Sequence, residues 1–218
     1  METSNDLKTY HALMDTFIAH WTSVDAVLGG APLVLPDGTN RAAFLAAKAT
    51  LTAAYQSVES GDNQAQTSAA DCLRLKGELL PQLSQFKATV GGLLPGTRYA
   101  AAVTKTPPKT SSQGVIVKAV QDTLTLWTQI EADSAVTLSK PLTLADATTK
   151  ASLEAGFVAL QAAYAAHATG KAAAAAARSE RNAQLKVLDA QMKQYRKTAQ
   201  ARLAKGHPLL ANLPSVSR

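Results

Sequence analysis

Residues 32–39 read Pro-Leu-Val-Leu-Pro-Asp-Gly-Thr, and residues 141–148 read Pro-Leu-Thr-Leu-Ala-Asp-Ala-Thr. The similarity continues without a gap beyond each of these connectors, so that 12 of 30 aligned positions are identical. The offset in residue number stays constant through the connector and the segment after it, which is typical of an internal duplication. The two connectors therefore decide the fold that the sequence predicts.

The duplication predicts two sequence repeats, residues 1–108 and residues 109–218, which we expect to share a core as one cooperative domain. Each repeat contains a short helix, the Pro-Leu-x-Leu connector, a long helix of about 50 residues and an extended exit arm with proline. Aromatic residues make up only 5% of the chain, which favours helices packed through alanine over a sheet. We therefore predict an all-α fold, an elongated helical bundle whose two long helices run antiparallel.

The short helices are marked by apolar periodicity and by glycine. Apolar residues recur in steps of three and four through residues 7–28, as in a coiled-coil seam, and Gly29 and Gly30 follow them. This pattern predicts a helix that the glycine pair ends. The equivalent helix of the second repeat is predicted to start after an N-cap at Ser111 or Ser112.

The long helices are predicted to start at the N-caps Thr39 and Thr148. Gly61, Pro81 and Gly170 fall inside them, and each is a residue that weakens or kinks a helix. We expect both helices to be continuous, because rigid helices most easily keep the ungapped offset between the repeats to their far ends.

The middles of the long helices carry few large side chains. Ala65, Ala69 and Ala70 in the first helix correspond to an alanine run at residues 172–177 in the second. Small side chains there predict a close approach of the backbones, near the short end of about 8–10 Å between helix axes. The alternative is that alanine serves helix propensity on an exposed stretch.

No pattern of side chains predicts a catalytic residue, a cofactor or a metal site. His11, His20, His167 and His207 are scattered, none follows a glutamate by three residues, and each is predicted to be a surface or boundary residue. The single cysteine, Cys72, falls on an apolar seam and is predicted to be buried and inert. We therefore expect a protein that is not an enzyme.

The net charge of +6 belongs to the second half of the chain. Residues 1–109 contain nine basic and nine acidic residues, whereas residues 110–218 contain 13 and seven. Five basic residues lie within about 100° on one face of the last long helix. They are Arg178, Lys186, Lys193, Arg196 and Lys197. Such a face suits nucleic acid, an anionic membrane or an acidic partner, although a solvated face or pairing with acidic residues explains it too.

These features predict a non-enzymatic structural or protein-interaction bundle that binds a protein partner or assembles with itself. The alternative is an anion-binding module that uses the basic last helix to hold nucleic acid or acidic lipid. The N-terminus lacks the pattern of a signal peptide, and no apolar run approaches about 20 residues, so we expect no transmembrane segment. With one cysteine and no signal peptide, we expect a cytoplasmic protein.

Overall fold

A computed structural model of the chain describes residues 4–216, with the side chains of residues 7–216. These residues form helices and no β-strand, and a single isolated bridge joins Thr143 to Thr149. The predicted all-α class is therefore confirmed. The helices are α1 (Ser4–Leu28), α2 (Arg41–Leu93), α3 (Arg98–Ala102), α4 (Gln113–Ala132), α5 (Lys150–Arg202) and α6 (Pro208–Ala211).

The two long helices, α2 and α5, are continuous and pack together. Each contains 53 residues. Helix α2 runs through Gly61 and Pro81, and α5 runs through Gly170, so the predicted continuity is confirmed. Pro81 is tolerated because its ring is exposed and its missing N–H costs one hydrogen bond, that to the carbonyl of Gly77.

The predicted N-caps of the long helices are wrong by one residue. Asn40 caps α2, with its Oδ1 accepting from the amide of the residue three positions on at 2.9 Å. Thr149 caps α5 in the same way at 3.2 Å. Thr39 and Thr148 cannot serve as caps, because their carbonyls close the turn of the connector and accept from amides four residues earlier.

That turn is the same in both connectors. The amide of Leu35 donates to the carbonyl of Thr39 at 2.8 Å, and the amide of Leu144 donates to that of Thr148 at 2.9 Å. Inside each turn an aspartate two residues before the threonine accepts from the threonine amide. The amide of Thr39 lowers the pKa of Asp37 below its ordinary value, and the hydroxyl and then the amide of Thr148 lower that of Asp146.

The turn also needs one residue in the left-handed region, and only one connector uses glycine there. Gly38 has φ +83° in the first connector, whereas Ala147 has φ +64° in the second. We expect Ala147→Gly to stabilise the fold by about 0.5–1 kcal/mol, because a Cβ is strained in this conformation. Urea unfolding will measure the change. The control is Ala145→Gly in the same connector, which should not stabilise, and equal effects of the two would contradict the explanation.

The structure confirms the predicted end of the first short helix and the predicted start of the second, but it corrects the exit arms. Helix α1 ends at Leu28 before Gly29, which has φ +60°, and α4 begins after the N-cap Ser112, as predicted. The exit arms are not wholly extended, which corrects the prediction. Each arm contains a short helix, because the side chains of Thr97 and His207 accept from backbone amides and so cap α3 and α6.

The described chain forms two compact units, and each unit draws on both sequence repeats. Unit 1 takes the described residues up to Gly61 together with those from Ala172 onward, and unit 2 is Asp62–Lys171. Unit 1 therefore contains α1, the first part of α2 and the last part of α5. Unit 2 contains the remaining parts of the long helices with α3 and α4.

Each unit has an apolar cluster organised around one tryptophan. In unit 1, Trp21 of α1 lies on Tyr195 of α5 with 4.6 Å between ring centroids. In unit 2, Trp127 of α4 stacks on Phe86 of α2 at 4.9 Å. Phe86 and Tyr195 are separated by the same offset as the two connectors, and each lies against a tryptophan. Each tryptophan is thus held by the long helix of the other sequence repeat.

Candidate anion-binding groove

Three of the five predicted basic residues line one surface groove of unit 1. Lys193, Arg196 and Lys197 border this unit 1 groove, whose volume is about 470 Å³. Arg178 and Lys186 are exposed on the same helix but lie outside the groove. The basic face predicted from periodicity is therefore brought together only in part.

One wall of the unit 1 groove is α5, and the other is the chain after α6. Gln200 extends the row of α5, since positions three, four and seven residues apart share a helix face. Ser215 and Val216 form the opposite wall. Gln200 was foreseeable, because it follows Lys193 by two turns. The wall after α6 was not, because nothing local in the sequence places it against α5.

The segment after α5 is held by apolar packing and by one buried histidine. Leu209 and Leu213 pack against the apolar cluster of unit 1. His20 of α1 is only 8% exposed and therefore buried, which corrects its prediction as a surface or boundary residue. Its Nε2 lies 2.9 Å from the carbonyl oxygen of Leu209, and its Nδ1 lies 2.7 Å from the Tyr195 hydroxyl.

The two partners of His20 determine which ring nitrogen carries the proton. A carbonyl oxygen can only accept, so Nε2–H donates to Leu209 and Nδ1 accepts from the hydroxyl of Tyr195. Burial raises the pKa of Tyr195, which keeps the phenol protonated and able to donate. His20 thus holds α6, the helix that precedes the wall of the unit 1 groove, against α1 and α5.

The three cations of the unit 1 groove are not neutralised by the described part of the chain. Lys193, Arg196 and Lys197 have no acidic side chain within 4.0 Å among residues 7–216. Asp189 lies on the same sector of α5, where the Tyr10 hydroxyl donates to it at 2.8 Å. It interrupts the basic face one turn before Lys193, so the three basic positions after it are those that line the groove.

A second groove, of about 460 Å³, lies between α2 and the chain after α3 in unit 2. In this unit 2 groove, Ser84 occupies the position equivalent to Lys193 and donates its hydroxyl to Thr106 at 3.1 Å. The position equivalent to Lys197 in the first repeat is Ala88. Two charged positions on the wall of the unit 1 groove therefore correspond, at the offset of the connectors, to small and uncharged residues on α2.

A third groove, of about 610 Å³, is bordered in unit 2 by Arg98, Tyr99 and Asp133. Arg98 and the Tyr99 hydroxyl both donate to one carboxylate oxygen of Asp133. The hydrogen bond from Tyr99 is the main reason that the pKa of Asp133 is lowered. This carboxylate is occupied by its neighbours and stays ionised, so it is a poor candidate for a general base.

Two further side chains with reactive potential, Cys72 and Tyr164, are buried or partly buried in unit 2. Cys72 is buried in unit 2, and burial raises the pKa of its thiol, which disfavours the nucleophilic thiolate. Tyr164 is partly buried beneath the ammonium group of Lys76, which lies 5.5 Å from its ring centroid. Within residues 7–216, no three His, Cys, Asp or Glu side chains group in a way that could hold a metal ion.

In the part of the chain that the structure describes, no helix is both long and apolar enough to cross a membrane. Comparisons of the chain with protein-family models, with curated proteins and with solved structures give no match.

Proposed function

We propose that the chain is a non-enzymatic helical scaffold that holds a protein partner or a second copy of itself. The proposal is supported by the buried polar side chains of residues 7–216, which contact one another and the backbone and do not line a cavity that could serve as an active site. His20 is clamped between Tyr195 and Leu209, and the guanidinium carbon of Arg181 lies 5.2 Å from the ring centroid of Tyr55. Such contacts rigidify a core and leave function to the surface.

We infer that this scaffold arose by tandem duplication. The long helices begin at Arg41 and Lys150, which are separated by the same offset as the connectors, and their last residues, Leu93 and Arg202, keep that offset. The connector turns and the two tryptophan pairs recur at related positions as well. Agreement in helix length, turn and aromatic packing supports descent from one ancestral unit.

We also infer that the long helices run antiparallel. In unit 1, Gly61 of α2 lies against Ala174 of α5, and Tyr55 lies against Arg181. The residue with the lower number on α2 therefore contacts the residue with the higher number on α5. The equivalent contacts in unit 2 are Ala65 with Gly170 and Leu79 with Gly156.

The way in which each unit combines segments from both halves of the chain provides a structural basis for self-assembly. Each unit is completed by a helix segment of the other sequence repeat, and a second chain offers the same segment. We expect the mass measured by light scattering to rise above 22.8 kDa over an about hundredfold range of concentration. A constant monomer mass would remove self-assembly and leave the binding of a protein partner, which crosslinking in the native cell followed by mass spectrometry would identify.

The second candidate function is anion binding in the unit 1 groove. Three cations without a described acidic neighbour line one concavity, where they attract an anionic ligand. This function is compatible with the scaffold, since the groove belongs to the surface and not to the core.

We propose a cytoplasmic location for either function. Cys72 is the only cysteine of the sequence and is free, as is usual in a reducing compartment. Fractionation of the native cell tests this, and recovery from the periplasmic or extracellular fraction would overturn it.

A further inference from the structure

We propose that the unit 1 groove binds the phosphate backbone of double-stranded nucleic acid without reading the bases. The proposal rests on the second candidate function, anion binding, and names its ligand. Lys193, Arg196 and Lys197 are the residues that would contact the phosphates.

The spacing of the cations fits a sugar–phosphate strand. Lys193 and Lys197 are one turn apart, about 6 Å along the helix axis. Phosphates of one strand of a duplex recur about every 3.4 Å along its axis. The three cations are therefore close enough along α5 to contact neighbouring phosphates of one strand.

The donors of the groove are those that phosphate oxygens accept from. The planar guanidinium of Arg196 donates two parallel hydrogen bonds to one phosphate, while the lysines act as point charges. Gln200 adds an amide that positions the backbone without carrying sequence information. Rigid helix α5 holds these groups in place, so little order has to be gained on binding a rigid duplex.

Other polyanions fit the groove less well. Single strands are usually held by bases stacked on aromatic rings, but Tyr195, the aromatic residue of this helix segment, is fully buried. A membrane surface is flat and is bound through an exposed apolar face, whereas Val216 is the one apolar residue in the described lining of the groove. A flexible acidic peptide loses conformational freedom on binding, which a duplex does not.

The test uses the full-length protein and a labelled mixed-sequence DNA duplex of about 20 base pairs, with affinity measured by fluorescence anisotropy at several salt concentrations. Three phosphate contacts predict a slope of about −2.7 for log affinity against log salt, at about −0.9 for each contact. The affinity should then fall about 80-fold between about 50 and 250 mM salt. A duplex of shuffled sequence should bind equally well.

Two triple variants separate the groove from overall charge. Lys193→Gln, Arg196→Gln and Lys197→Gln together should remove the salt dependence and lower the affinity at low salt at least about tenfold. The matched control replaces Lys87, Lys105 and Lys109, exposed lysines outside the groove, by Gln and changes the net charge equally. The control should bind as the unchanged protein does, and circular dichroism confirms that both variants remain folded.

The outcomes distinguish the binding of a nucleic-acid duplex from the more general function of anion binding in the unit 1 groove. Equal binding by the groove variant and the unchanged protein would overturn the inference. Groove-dependent binding of polyglutamate or of phosphatidylserine vesicles, without duplex binding, would keep an anion site and overturn the nucleic-acid ligand. Tighter binding of single strands than of duplex would overturn it as well. No binding of any of these probes at low salt would remove both proposals.

Discussion

Residues 1–108 and residues 109–218, produced as separate chains, will not fold as monomers and will acquire helical structure when they are mixed. The reason is that unit 1 and unit 2 each combine segments of both sequence repeats. A fragment alone would leave Trp21 without Tyr195, or Trp127 without Phe86, and would expose most of two half-built cores. The loss amounts to the whole stability of a small domain, about 5–15 kcal/mol.

Far-UV circular dichroism and size-exclusion chromatography of the fragments, alone and mixed, measure this effect. The control is full-length protein carrying a protease site in the largely exposed residues 109–112 and cleaved after folding, which should keep its helix content and elute as one species. A monomeric fragment that unfolds cooperatively by itself would show that the units do not depend on both repeats.

Gly170→Ala will destabilise the protein by about 1–3 kcal/mol, because overpacking forces backbone shifts where no side chain can yield. A Cβ at Gly170 would lie 2.8 Å from the backbone nitrogen of Ala65 in unit 2. Gly61 stands in the same position against the backbone of Ala174 in unit 1, and Gly61→Ala should cost a similar amount.

The control for both variants is Gly91→Ala on α2, where an added Cβ meets nothing within 4 Å. At that exposed helical site alanine should stabilise by about 1 kcal/mol, since glycine is the poorer helix former. The same substitution is thus expected to have opposite signs at two helical glycines, as measured by urea unfolding. A gain in stability at Gly170 would disprove the close approach of the helices.

The close approach itself was predictable from the sequence, but not the residues that make it. The alanine-rich centres of the long helices indicated close packing, and Ala174 is indeed buried. Gly61 and Gly170 read instead as interruptions, because glycine lowers helix propensity wherever a neighbour is unknown. Their role depends on which backbone they face, and that is decided by residues far away in the chain.

The unit 1 groove, too, was predictable from the sequence only in part. Helical periodicity placed Lys193, Arg196 and Lys197 on one face, because side chains three and four residues apart share a face of any helix. It could not show that Ser215 lies opposite them, or that His20 holds this segment through the carbonyl of a residue 189 positions later. A lone histidine carries no local signal of burial, so its role required the packed structure.

The sequence by itself determined what is local: an all-α chain, two long helices unbroken by Gly61, Pro81 or Gly170, and an end of α1 before Gly29. Periodicity and backbone preference act within a few residues and therefore survive in any tertiary arrangement. Only the tertiary structure decided that two units form and that each takes helices from both repeats. That choice depends on the free energy of contacts between distant segments, such as the two tryptophan pairs, which no local pattern encodes.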